Sequence, residues 1–190
     1  MDGLTIADRL LRSSNILVSM LAVRLVFDIT ENENIETNKL FAREFMMRHL
    51  AGSMVSLIDR LDGEDADEQQ ALFSILNTFE NVVEVMPNAV DDIFVKAGLL
   101  ETLVNRLVQQ QSIKQLLSTM NDCTVYQSEL LSISMQSGYI RDHLASMKVL
   151  DRIVSLLRSS VEVEKTPADL QEVVLNIMNT LVIACLSTDC

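Results

Sequence analysis

Apolar residues recur at helical spacing along nearly the whole chain. Between Asp67 and Met86 they fall at Leu72, Ile75, Leu76, Phe79, Val82, Val83 and Met86. Steps of three and one of this kind line a single helix face wide enough to meet a core. Asp62, Glu64, Asp65, Asp67 and Glu68 precede the stripe. Carboxylates there suit the positive end of a helix dipole, so the spacing predicts a helix starting near Glu64. Pro87 stops it, because the residue before a proline avoids the α region. The same reading places helices near 4–12, 15–29, 37–50, 53–61, 88–96, 99–110, 122–136, 139–145, 147–158 and 168–186. The run from Ile16 to Ile29, broken by Ser19, Arg24 and Asp28, reads as a buried helix and is too short and too polar to span a bilayer. With 5 Gly and 2 Pro, the chain lacks the turn residues that a sandwich or barrel needs. The class is all-α.

The helices repeat. An apolar/Arg/apolar pattern appears as Ile6 to Leu10, Leu57 to Leu61 and Leu103 to Leu107, and more weakly as Ile153 to Leu157, where Leu156 stands in place of Arg. The last positions lie 51, 46 and 50 residues apart (61 − 10, 107 − 61 and 157 − 107). Polar residues follow each copy, and each leads into another long apolar helix. A helical period of this size predicts an armadillo/HEAT-like α-solenoid superhelix of about four repeats. The competing account is an irregular bundle of Leu-rich helices. One repeat cannot bury its stripe alone, so stacking on neighbours makes the core. The first helix reads as the last helix of a preceding repeat, and 168–186 is apolar nearly all round. Residues 1–190 are therefore expected to form a single armadillo-like repeat domain, incomplete at both ends. Exposed apolar surface is expected at one or both ends, with self-association through it.

Particular residues carry a family likeness. Lys96 to Leu107 has the Gly-turn followed by a Leu-Val-x-x-Leu helix that marks the third helix of an armadillo repeat. Glu80-Asn81-x-x-Glu84-x-x-Pro87 and Tyr126-x-Ser128-Glu129-x-Leu131 follow in order, with Met54 to Asp62 before them and Met147 to Ser159 after. In these segments the chain resembles the middle portion of the beta-catenin-like family, nuclear armadillo proteins associated with pre-mRNA splicing. The resemblance implies a nuclear protein-binding scaffold in a splicing complex. It also implies partners that offer basic, nuclear-localisation-type segments of splicing factors. Importins grip such segments with Trp and Asn arrays; this chain has no Trp, which excludes that pocket chemistry.

Charge sharpens the picture. Lys plus Arg is 15 and Asp plus Glu is 27, a formal charge of −12. Nucleic-acid binding is led by Lys and Arg, so direct binding of DNA or RNA is not expected. An acidic surface instead suits basic protein segments. No basic region or apolar h-region follows Met1, so no signal peptide is read there. No catalytic, metal or cofactor set emerges. His49 and His143 have no acid–nucleophile arrangement around them, and Cys123, Cys185 and Cys190 form no close ligand pair. Cys185 and the apolar-stripe residues Met20, Met86 and Met178 read as core filler. A calcium loop counted from Asp62 would need Gly at its sixth place and Glu at its twelfth, where Asp67 and Phe73 stand. No phosphate-binding glycine motif is present.

A binding surface remains. Stacked repeats expose their third helices, here near 4–12, 53–61, 99–110 and 147–158. The polar candidates on them are Asp59, Arg60, Thr102, Asn105, Arg106, Asp151 and Arg152. The blander account is that these arginines pair with carboxylates on the next repeat. A different class also fits: a cytoplasmic HEAT-like regulatory subunit that positions an enzyme.

Overall fold

Short polar residues set where the helices begin. Asn15 accepts a hydrogen bond from the Leu17 amide, and Asn34 accepts from Glu36 and Thr37. Asp65 accepts from the Glu68 amide at 2.8 Å, and Ser137 from Ile140. Each side chain satisfies an amide that the first helical turn leaves without a partner. In the computed structural model, which describes residues 3–31, 33–61, 65–109, 122–158 and 168–186, the helices are α1 (Gly3–Leu11), α2 (Ile16–Thr30), α3 (Ile35–Met47), α4 (Leu50–Ile58), α5 (Ala66–Val85), α6 (Leu99–Gln109), α7 (Asp122–Ser134), α8 (Gly138–Ser146), α9 (Leu150–Arg158) and α10 (Ala168–Leu186). No strand occurs among the described residues. Part of the acidic loop, residues 62–64, and the side chains of all three cysteines lie outside them.

The helix expected at 88–96 is instead a 3-10 turn (Pro87–Ala89) and a wide π-type turn (Asp92–Lys96). Pro87 acts as expected. Met86 before it is driven to φ −141°, ψ 73°, and α5 ends at Val85.

The repeat shows most plainly in three left-handed residues. His49, Gly98 and Lys148 have φ of 58°, 87° and 55°. They stand 49 and 50 residues apart (98 − 49 and 148 − 98), and α4, α6 and α9 start directly or one residue after them. In chain order α2, α3 and α4 are thus the first, second and third helices of one repeat. α5, the two short turns and α6 make the next, and α7, α8 and α9 the one after. α1 is a third helix and α10 a first helix.

The described residues fall into two compact units, 1–98 and 99–190. In the first, α2 packs on α1 and α5, while α3 and α4 pack on each other and on α5. Its core includes Val26, Phe45, Leu50, Met54, Ile75 and Phe79, all at 0% exposure. The Phe45 ring meets Phe79 edge-on with centroids 6.4 Å apart, and Phe41 lies 5.7 Å from Phe45. Edge-on rings place a positive rim against a negative face, which adds to the burial of their area. In the second unit α10 packs on α7, α8 and α9, and α6 on α7 and α9. Val104, Met135, Ile140, Leu144, Ile153 and Val173 are wholly buried there.

A polar clamp joins successive first helices in each unit. Asn81 Nδ2 on α5 donates to Thr30 Oγ1 on α2 at 3.0 Å, and that hydroxyl donates to the Phe27 carbonyl. Asn176 Nδ2 on α10 donates to Ser128 Oγ on α7 at 3.2 Å, and that hydroxyl donates to the Val125 carbonyl. The hydroxyl proton is committed three residues back, so its oxygen is left to accept. Thr30→Val is expected to cost about 1–2 kcal/mol, because it strands the half-buried Asn81 amide. The loss reads as a lower urea midpoint at unchanged slope. Thr30→Val with Asn81→Leu should recover part of it, since no polar group is then left without a partner.

Two expectations are corrected. α2 is not buried all round: Leu17, Leu21, Leu25 and Ile29 are 59%, 72%, 51% and 36% exposed. Met178 is 49% exposed rather than core filler, because it lies on the outer face of α10, opposite Val173, Ile177 and Thr180.

Candidate functional site

A left-handed residue stands before each of the third helices α4, α6 and α9 and turns the chain sharply there. In the first unit the third-helix surface is built by α1 and α4, which pack together. Two side chains staple them. Ser53 Oγ donates to Asp8 Oδ1 at 2.6 Å, and Asp8 also pairs with Arg12 one turn on. Arg60 Nη2 donates to the Ser13 carbonyl, just past α1, at 2.9 Å. A third tie reaches α1 from the end of α3, where Arg48 Nη1 donates to Thr5 Oγ1 at 2.8 Å while its guanidinium pairs with Glu44. In the second unit the surface is built by α6 and α9, and Arg152 Nη2 donates to the Val108 carbonyl at 3.2 Å.

Two of the three candidate arginines have acceptors other than the carboxylates of the next repeat. Arg60 and Arg152 reach back to main-chain oxygens just past or at the end of the preceding third helix, 47 and 44 residues earlier. A guanidinium suits this task, because its planar fork stays charged and can donate to main-chain carbonyls around the end of a helix. Asp59, at the end of α4, is exposed, as are Asn105 on α6 and Asp151 on α9. Arg106 is half-buried. Thr102 is 7% exposed and lies in the inward stripe of α6 with Leu99, Leu103 and Val104, so it packs rather than presents. The sequence pattern marked the third helices as a surface but missed Ser53, Asp8 and Arg48. Their signal is a separation of 45 or 43 residues, close to the repeat period.

Charge is unevenly spread. Residues 1–98 hold 17 Asp/Glu and 8 Lys/Arg, a net of −9; residues 99–190 hold 10 and 7, a net of −3. Among the described residues no three or more His, Cys, Asp or Glu side chains group so as to hold a metal ion. His49 serves as the exposed left-handed residue before α4, and the His143 carbonyl accepts from Ser146 Oγ. No helix of the described residues is long and apolar enough to cross a membrane.

What this arrangement offers, in each unit separately, is a polar surface on third helices tied together by side chains. No curated protein matches the chain. The family described as catenin-beta-like, Arm-motif containing nuclear, matches residues 5–189. That span takes in all of the helices from α2 to α10 and nearly all of α1. With its all-α, armadillo-like repeats, the chain belongs to the catenin-beta-like family of Arm-motif nuclear proteins.

Proposed function

We propose that this chain is a non-enzymatic scaffold of a nuclear pre-mRNA splicing complex, and that its third-helix surface takes basic segments of its protein partners. Membership of a nuclear Arm-motif family supports the nuclear, protein-binding part of this reading. The observation that carries the rest is the division of work in the third-helix layer. Arg60, Arg152, Asp59, Asn105 and Asp151 are all exposed, but the two guanidinium groups donate to main-chain carbonyls. Exposed carboxylates whose neighbouring guanidinium groups are already engaged attract Lys/Arg-rich segments and repel acidic ones. The net charge of −12 acts in the same direction at longer range.

The test is a titration with a fluorescent Lys/Arg-rich peptide of the nuclear-localisation type. Binding is expected to weaken as salt rises, because exposed charges are screened within about 10 Å at 0.1 M. Asp59→Lys with Asp151→Lys should weaken it by about tenfold or more, since each reversal replaces attraction by repulsion. Both sites are exposed, so the fold should tolerate them. Unchanged affinity in the double variant would count against this surface. Absence of splicing factors among proteins retained from nuclear extract would count against the complex.

A further inference from the structure

The outer face of α2 is an apolar ladder. Leu17, Leu21, Leu25 and Ile29 follow one another at four-residue steps and are 36% to 72% exposed. Single exposed leucines are ordinary, but an aligned row of four marks a contact surface. The outer face of α10 carries a second row, Leu175, Met178 and Val182, at 57%, 49% and 56% exposure.

We propose that the outer face of α2 is a docking site for a second copy of this chain, which lays the outer face of its α10 against it. Packing within each unit supplies the pattern. α5 covers one face of α2 and reaches back through Asn81 to Thr30. α10 covers one face of α7 and reaches back through Asn176 to Ser128. In each unit one first helix is thus covered on one side by another, α2 by α5 and α7 by α10. α2 is already covered on that side and open on the other. α10 is the reverse: its used face looks back to α7, and its open face lies where a following first helix would pack. The two rows are therefore the two unlike halves of a contact that each unit already makes once. Docking α10 of one copy on α2 of another repeats that contact.

Charge selects this pairing over the symmetric one. Two α2 faces would bring together units of −9 and −9, and their ends carry Asp28, Glu31, Glu33 and Glu36. An α10 face brings a unit of −3. The product of net charges is three times smaller (−9 × −3 against −9 × −9). Like charges brought face to face oppose association, and more so at low salt.

The contact joins unlike faces, so it does not close on itself. In sedimentation velocity of the full chain, mass is expected to rise with concentration from 21.3 kDa through dimers to longer species. Leu21→Glu and Val182→Glu each place a charge in the proposed contact at an exposed site. Each alone should remain at the mass of one chain at concentrations at least about tenfold above those where the natural chain associates. An equimolar mixture of the two should regain dimers and stop there, because one sound α2 face meets one sound α10 face and both outer faces are blocked. Circular dichroism verifies helicity; if either variant loses it, Leu25→Glu or Leu175→Glu takes its place. A natural chain that stays single at every concentration overturns the proposal. So does association that survives either substitution alone, or a mixture that fails to form dimers.

Discussion

Phe79→Ala is expected to lower the stability of the chain by about 3–5 kcal/mol, the range for emptying a large aromatic site in a packed core. Phe79 is at 0% exposure on α5, and its ring meets Phe45 of α3 edge-on. Removing it deletes buried area, leaves a cavity and takes away the aromatic partner of Phe45. Phe45 also neighbours Phe41, so α3 loses the contact that fixes it on α5. The measurement is urea unfolding, in which the midpoint should fall at unchanged slope. Hydrogen exchange should quicken first in α3 and α5. A loss below about 1 kcal/mol, within reach of an ordinary surface substitution, would mean that this ring cluster does not hold the two helices together.

The second large effect concerns the turns before the third helices. Gly98→Val is expected to destabilise by about 1–3 kcal/mol, because a β-branched residue at a φ of 87° is strained whatever surrounds it. Crowding is not the cause: a Cβ there would lie 4.0 Å from Val55 Cγ1, an ordinary contact. The corresponding places hold His49 and Lys148, which already bear that strain. His49→Gly and Lys148→Gly should therefore stabilise by up to about 1 kcal/mol, the relief being partly offset by the freer unfolded chain. Opposite signs at three places one repeat apart would be hard to obtain from an irregular bundle. A stabilising Gly98→Val, or a destabilising His49→Gly, would break the correspondence.

The same three residues explain how far the sequence could be read. The third helix expected at 99–110 begins at Leu99, because Gly98 announces its turn. Those expected at 53–61 and 147–158 begin at Leu50 and Leu150. There His49 and Lys148 occupy the left-handed position, and neither side chain advertises it. Helical class, the stop at Pro87 and the repeat period follow from spacing and local chemistry, which a single strand of text carries. The fate of the arginines does not. Arg60 and Arg152 looked like groove residues because they are polar and sit on third helices, yet their acceptors are more than 40 residues away. α2 looked buried because a mostly apolar run states what a helix can cover, not which neighbours are there to cover it. Asn81 and Ser128 stood within the segments that resemble the family, and their role as clamp residues needed the facing helix to become visible.

The acceptors used by Arg60 and Arg152 are main-chain oxygens of Ser13 and Val108. Every amino acid supplies the same carbonyl, so no substitution at position 13 or 108 can delete the acceptor atom. The arginine alone is under chemical constraint, and its opposite number is free to drift. Pairwise covariation would be blind to such a tie. Repeats fastened in this way can diverge in their side chains over long times while their helices keep the same alignment.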